Sequence, residues 1–550
     1  MEPIIRTLLG ILMRKRFSIV SVGLLVVFSL VAGAWLNQLI SGDNIYDQLN
    51  KFKDVLSMTQ KSYVEDVDTQ KLTESAIRGM LGDLDPHSVY ITASEMQRVK
   101  EEFQGSFEGI GVEYAVLNDT LMVVTPIVGG PSEALGIEAG DKIVKINDTS
   151  SVGILQADVP KKLRGPKGTH VKVSIARAGM TKLLEFDIVR DKIPIYTIDA
   201  SFMMNDEVGY VSVTRFAATT HAEFVDAVTK LKKEGLKRLI LDLRINGGGY
   251  LDQAFKMVDE LLPKGKKVVY TKGRRPEFNE EYISSGSAKF ADVSLVVLVN
   301  NASASASEIV AGAIQDWDRG LIVGETTFGK GLVQRQFDLA DGSGFRLTTA
   351  RYYTPSGRLI QRPYGEDKVK YQREAFERNE EDGENISHSA EKDSARPKFK
   401  TAGGRVVYGG GGITPDYIVK AERLGEYSVA LRSRQVYLGY ANKYMDSHGA
   451  DVKKAYSADS RKFAKEFEVT VDMLESVVGI AKTKGVEFKQ ESYEKDLRYI
   501  KAFTKATIAR SIWGNVGSAR VMLQEDNQFK KAISLFPEAE KISKSLTSLK

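Results

Sequence analysis

The 550-residue sequence contains no cysteine, which excludes disulfides, thiolate metal sites, a cysteine nucleophile and a lipidated N-terminal cysteine. Histidine is nearly as scarce. His87, His170, His221, His388 and His448 are the full set, so histidine-based catalysis has few candidates. Charge of one sign is lacking too: a net charge of +5 is small for this length and suggests no basic surface for nucleic acid. What is present is ordinary for folded protein, 42% hydrophobic and 27% charged residues. So long a chain exceeds one hydrophobic core and divides into several units.

An apolar run stands near the N-terminus. Arg14-Lys15-Arg16 precedes an uncharged stretch over 17–36, close to the ~20 residues that cross a bilayer as a helix. Basic residues before the run and none immediately after it predict that residues 1–16 stay in the cytoplasm and the bulk of the chain is exported. The run reads as a retained transmembrane anchor or as a signal peptide, with Ala32-Gly33-Ala34 offering a cleavage site. Either way the working domains lie outside the cytoplasm, which argues against an ATP-using enzyme.

Residues 41–104 read as helical and polar, interrupted by the turn "GDLDPHSVY" at 82–90. Asp83, Asp85 and His87 suggest a metal site at first sight, but Pro86 and the crowding of Asp and Gly favour a plain helix-ending turn. Residues 105–190 change to short strands with turn signals. The order of glycine-rich loop, strands and short helix, with "GIEAGDKIVKIND" in its middle, resembles a PDZ domain. That resemblance implies capture of an extended peptide tail on a sheet edge, with Phe107, Glu108, Gly109, Ile110 and Gly111 holding its terminal carboxylate. From 195 to 425 strands and helices alternate, as in an α/β unit with a buried sheet. Within it, residues 364–405 read as a charged surface insertion. Residues 426–550 are helical and rich in Lys and Glu, with no catalytic constellation.

Two segments of the α/β unit carry chemistry. "GETTFGKG" at 324–331 has the spacing of a phosphate-binding loop, yet Gly331 occupies the place of the metal-binding hydroxyl. The following "LVQRQFDL" alternates like a strand where a phosphate loop requires a helix. Glycines on both sides of Lys330 instead suggest a tight backbone around an amine that approaches something closely. The second segment, "NNASASASEIVAG", reads as strand, sharp turn and helix, an arrangement that presents a nucleophilic serine or merely caps a helix. With histidine scarce, the pairing points to a Ser–Lys dyad in which desolvation or nearby positive charge keeps the lysine neutral. Residue types alone leave Ser303, Ser305 and Ser307 open.

The stretch from "NNASASASEIVAG" to "RYYTPSGR", together with "LDLRINGGG", the PDZ segment and "SVYITASEMQ", resembles the C-terminal processing peptidases, or tail-specific proteases, over about residues 45–425. The resemblance implies a multidomain α/β protein: a PDZ β-domain ahead of a crotonase- or Clp-protease-like serine peptidase core, flanked by helical N- and C-terminal regions. It places the nucleophile at Ser305, the general base at Lys330 and the residue orienting it at Gln334. Oxyanion donors fall on the backbone of Gly248 and Ala306, supporting carboxylates on Glu308 and Asp316, and a relay from the PDZ domain on Arg164. Spacing agrees with this: Lys330 and Gln334 are four apart on a strand, and Glu308 and Asp316 follow Ser305 by three and eleven on a helix. The implied enzyme uses no metal, nucleotide or other cofactor and acts on protein or peptide substrates with accessible C-terminal tails. It is expected in the bacterial cell envelope, anchored in the inner membrane or signal-cleaved, with its catalytic part in the periplasm. The helical regions permit a homo-oligomer. The competing reading is a catalytically silent PDZ scaffold that binds protein C-termini.

Overall fold

The computed structural model describes residues 24, 26–29, 44–378, 382–384 and 396–548. Most of the apolar run 17–36, and all of 1–16, lie outside the described residues. Among the described residues no helix is long and apolar enough to cross a membrane. The chain forms two compact units, Met1–Met80 and Leu81–Lys550. In the first, helix Ile45–Ser62 is capped by Asn44, whose side chain accepts the Tyr46 N–H, and it buries none of its residues. The second unit contains everything discussed below.

Helix Ala93–Gln104 opens on a reciprocal capping box between Thr92 and Glu95 and closes at Gly105, whose φ of 72° permits the left-handed stop. It runs into strand Ser106–Gly109, which pairs antiparallel with Asp191–Pro194. Between these two strands lies a six-stranded antiparallel sheet with Val112–Leu117 at one edge, followed by Thr120–Pro126, Lys142–Ile146, His170–Ala176 and Leu184–Val189, with Thr149–Ser150 also paired to Lys142–Ile146. Its core is aliphatic, built from residues such as Leu121, Ile143, Val173 and Ile188, with Val159 and Leu163 from the short helix Val159–Leu163.

The α/β unit is a seven-stranded sheet ordered Ile198–Met203, Val208–Val213, Arg238–Asp242, Ser294–Val299, Leu321–Gly324, Tyr417–Ile418, Gly383–Glu384. The pairings from Val208–Val213 through Tyr417–Ile418 are parallel. The central strands read as nearly unbroken apolar runs because both faces are covered. Helices Thr220–Lys233, Leu251–Asp259 and Ala306–Asp316 bury one face. The other is closed by the C-terminal helices Asn527–Ser534 and Phe536–Ser548, which set Phe529 and Phe536 against Ile240, Val296 and Val323. Part of the Lys- and Glu-rich helical extension is thus a layer of the core. A second sheet joins Val89–Ile91, Gly344–Tyr353, Lys267–Gly273 and Glu281–Ile283, with Leu332–Asp338 paired to Gly344–Tyr353.

The segment after 364 also departs from expectation. Residues 368–374 form a helix whose Tyr371 is fully buried, and Ala375 behind it is equally enclosed. Charged residues dominate its composition, but Tyr371 and Ala375 on the inward face join Ala304 and Phe328 in a buried cluster that docks it.

Candidate active site

The parallel strands end at a common edge, the usual place for a site in such sheets. Strand Arg238–Asp242 leads into the glycine turn 245–249, and Ser294–Val299 leads into the turn 300–305 and helix Ala306–Asp316. Ser305 sits at the junction with φ 56° and ψ −112°, a strained conformation for a non-glycine residue. Asn246 ties the two turns together. Its carbonyl accepts Ala304 N–H at 3.0 Å and Ser307 Oγ at 2.8 Å, while its side chain donates to Val213 O and accepts Gly248 N–H, each at 2.9 Å. Gly248 must lack a side chain, since a Cβ there would lie 2.8 Å from Ser305 Cβ.

The three serines separate by environment. Ser303 and Ser307 are wholly buried and donate to the carbonyls of Leu243 and Asn246. Ser305 is half-buried, its hydroxyl donates no hydrogen bond among the described residues, and it lines a cleft of about 410 Å³ together with Lys330, Gln334, Gly248 and Ala306.

Lys330 precedes strand Leu332–Asp338, as the alternating pattern predicts. Its Nζ donates to Gln334 Oε1 at 2.8 Å, across a register shift between Val333 and Gln334. Burial, reinforced by the Arg346 guanidinium, lowers the Lys330 amine to about 8, against the opposing influence of Glu308 and Asp85. Glu308, fully buried, accepts four hydrogen bonds: from the N–H groups of Ser305, Gly329 and Lys330 and from Thr327 Oγ1. It therefore clamps the serine turn to the lysine loop. Burial raises its carboxyl above the ordinary range although these bonds pull the other way.

Sequence reasoning missed the support behind Gln334. Gln334 Nε2 donates to the backbone carbonyl of His87, so the amide is held with its oxygen toward Lys330. Asp85 builds that turn by accepting His87 N–H at 2.7 Å, Ser88 N–H at 2.8 Å and Ser88 Oγ at 2.7 Å. The His87 ring lies 3.1 Å from the Tyr371 hydroxyl, and burial, followed by the charge of Lys330, pushes its imidazole down to about 4. "GDLDPHSVY" is a turn, as expected, and among the described residues no cluster suited to a metal occurs. What its sequence does not reveal is that a carbonyl within it reaches Gln334. Nothing in the text "FRLTT" marks Arg346 as a cleft residue either.

Two expectations need correction. Asp316 does not join the site: at the far end of its helix it pairs with the buried Arg358 at 2.5 Å and accepts Ser356 N–H. Helical phase brings it to the same side as Ser305, but axial rise carries it away. Gly248 packs on Ser305, yet its N–H already donates to Asn246 Oδ1, whereas the N–H groups of Ala306 and Gly249 have no acceptor among the described residues.

In the β-domain that resembles a PDZ domain, Phe107, Glu108 and Gly109 belong to the strand paired with Asp191–Pro194, so the open loop shrinks to Ile110 and Gly111. The N–H groups of those two residues have no acceptor among the described residues, and the adjoining strand Val112–Leu117 is a sheet edge. Arg164 pairs with Glu101 at 2.8 Å and lies over the Phe107 ring. Glu101 belongs to helix Ala93–Gln104, whose Val99 and Phe103 line the cleft.

Residues 207–369 match peptidase family S41, residues 98–176 the PDZ domain, residues 36–95 the activating protease CtpB N-terminal domain and residues 427–514 a family of unknown function. The chain is 39% identical over 326 residues to a carboxy-terminal-processing protease of Bartonella bacilliformis, covering 58% of this chain and 74% of that one. The chain belongs to the carboxy-terminal-processing proteases of peptidase family S41. A probable CtpA-like serine protease of Staphylococcus aureus is 39% identical over 339 residues, 61% of this chain and 67% of that one. Among solved structures, the photosystem II D1 C-terminal processing protease is similar at 32% identity, over 56% of this chain and 89% of that chain, with a TM-score of 0.32. This carboxy-terminal-processing protease is a serine peptidase with a PDZ domain, a module that binds peptide C-termini, consistent with protein or peptide substrates.

Proposed function

We propose that the protein cleaves peptide bonds by a Ser–Lys acyl-enzyme mechanism and selects its substrates by their C-terminal tails. The observation that carries this reading is the Lys330–Gln334 pair at 2.8 Å in the same cleft as Ser305, the one serine of three whose hydroxyl donates no hydrogen bond among the described residues. Neutral Lys330 takes the Ser305 proton as Oγ attacks the carbonyl. It then returns the proton to the leaving amine, and water releases the acyl group from Ser305. Gln334, pinned by the His87 carbonyl, accepts an N–H of Lys330 and so turns the amine's lone pair toward the serine. Ala306 N–H supplies one oxyanion donor and the glycine turn the second, where the N–H groups of Gly247 and Gly249 have no acceptor among the described residues. Such donors contribute about 3–4 kcal/mol each.

The PDZ domain takes the tail along the edge strand Val112–Leu117, with its carboxylate on Ile110 and Gly111. Arg164, bridging that domain to helix Ala93–Gln104, reports occupancy to the cleft; unchanged tail-dependence in Arg164→Ala would remove it from this role. The run 17–36 directs the chain to the cell envelope, either as an inner-membrane anchor or as a cleaved signal, with the catalytic part in the periplasm, and the helical regions support self-association. The deciding experiment incubates the full chain with peptides bearing free or amidated C-termini. Faster cleavage of the free-tailed peptide, without added metal or nucleotide, is expected. Equal rates would overturn tail reading, and no cleavage of either would overturn the peptidase.

A further inference from the structure

Every charged side chain lining the cleft is a cation: Lys100, Lys330 and Arg346, with no Asp or Glu among the lining residues. Two of these have partners. Lys100 pairs with Asp338 at 3.1 Å, and Lys330 donates to Gln334 and works as a base only when neutral. Arg346 is different. It is half-buried in strand Gly344–Tyr353, held in register between Val89 on one side and Gln336 on the other. Its guanidinium rests over the Phe103 ring at 5.0 Å and has no carboxylate at ion-pair distance among the described residues. Burial raises its acidity, against the weaker opposing influence of Glu102 and Tyr250. A desolvated, rigidly mounted guanidinium without an anion is costly to keep unless an anion arrives. Its planar fork of donors matches a carboxylate, and the backbone of a central strand holds it in place before the ligand comes.

We propose that Arg346 binds a carboxylate of the substrate inside the catalytic cleft, making the enzyme select peptides that place an acidic group beside the scissile bond. This rests on the cleft being the peptidase site. The carboxylate is either the tail's own terminus, handed on from the PDZ loop, or an Asp or Glu side chain near the cut. A terminal carboxylate would be read twice, first by Ile110 and Gly111 and then by Arg346, and would limit the length of the released piece. The Phe103 ring, which stands 4.9 Å from that of Tyr250 at the cleft wall, covers one face of the guanidinium and leaves its edge for a ligand.

The test uses the full chain and two matched peptide pairs. One pair differs only in a free or amidated C-terminus; the other, amidated throughout, differs only in Asp or Asn next to the cleavage point. For each pair the ratio of kcat/KM values is measured in wild type, Arg346→Gln and Arg346→Lys. Any effect of the substitution on Lys330 acts on both members of a pair and cancels in the ratio. A wild-type preference of roughly 10–100-fold for the carboxylate in at least one pair is expected, that being the range for a hydrogen-bonded charge. Arg346→Gln should bring that ratio close to one and Arg346→Lys should keep part of it. The pair that responds identifies the source of the carboxylate. PDZ discrimination alone predicts a free-tail preference that survives Arg346→Gln, and both ratios surviving that substitution overturns the proposal. Failure of wild type to cleave any of the four peptides instead overturns the peptidase reading beneath it, and this proposal with it.

Discussion

Glu308 and Asp316 are buried carboxylates on one helix, eight residues or about 12 Å apart, and their surroundings are opposite. Asp316 meets a guanidinium of equal burial, so its charge is neutralised and its contribution is to the fold. Glu308 meets only neutral donors, three backbone N–H groups and one hydroxyl, and no cation at ion-pair distance among the described residues. Its charge is left to act on Lys330, and its geometry aligns the serine turn with the lysine loop. A buried carboxylate with a cation builds structure; one without a cation, beside a group that must change protonation, sets up chemistry.

The sharpest way to break this comparison starts with the base. Lys330→Ala should lower kcat/KM by at least about 10⁴-fold, the scale of losing a nucleophile's proton acceptor, with the thermal melting point nearly unchanged. Retained cleavage would falsify the dyad. Next come the two carboxylates. Asp316→Asn leaves Arg358 uncompensated and should cost about 3–5 kcal/mol in denaturant unfolding while the folded fraction keeps its kcat. Glu308→Gln should do the reverse, lowering kcat by about 10²-fold through misalignment with a smaller loss of stability. Equal effects of the two substitutions on kcat would erase the distinction.

The pH profile sharpens it further. The proposed mechanism needs Lys330 neutral, so kcat/KM should rise with pH and level off above an inflection near 8. Glu308 favours the charged lysine, so Glu308→Gln should move the inflection down; Asp316→Asn should leave it in place. The smallest effect is expected for His87→Ala, because the orienting group is a backbone carbonyl that the substitution retains. A loss comparable to that of Lys330→Ala would make the imidazole the base.

Much of this protein is legible in its text. The PDZ elements appear in order because turn glycines and alternating apolar residues are local signals. Lys330 is followed by a strand, and Gly331 stands where a phosphate loop needs a hydroxyl, so the nucleotide reading fails on local pattern alone. The carboxylates were less transparent: positions three and eleven beyond Ser305 share a helical phase, and nothing in that phase says which of them faces Arg358. Gly248 shows the same limit. Its need for no side chain is visible as a glycine, but whether its N–H is free depends on where the Asn246 amide turns.

Sequence by itself determined the modular order, the strand–turn–helix that carries Ser305, and the Lys330–Gln334 spacing, since each is set by backbone preference and apolar period over a few residues. Only tertiary structure decided which serine hydroxyl donates no hydrogen bond among the described residues, that the His87 carbonyl holds Gln334, that Tyr371 docks a charged helix behind that turn, and that Arg346 enters the cleft with no carboxylate at ion-pair distance among those residues. Those outcomes depend on hydrogen bonds and charges between segments tens to hundreds of residues apart, and backbone carbonyls and unpaired cations carry no local mark of the partners that folding brings or withholds.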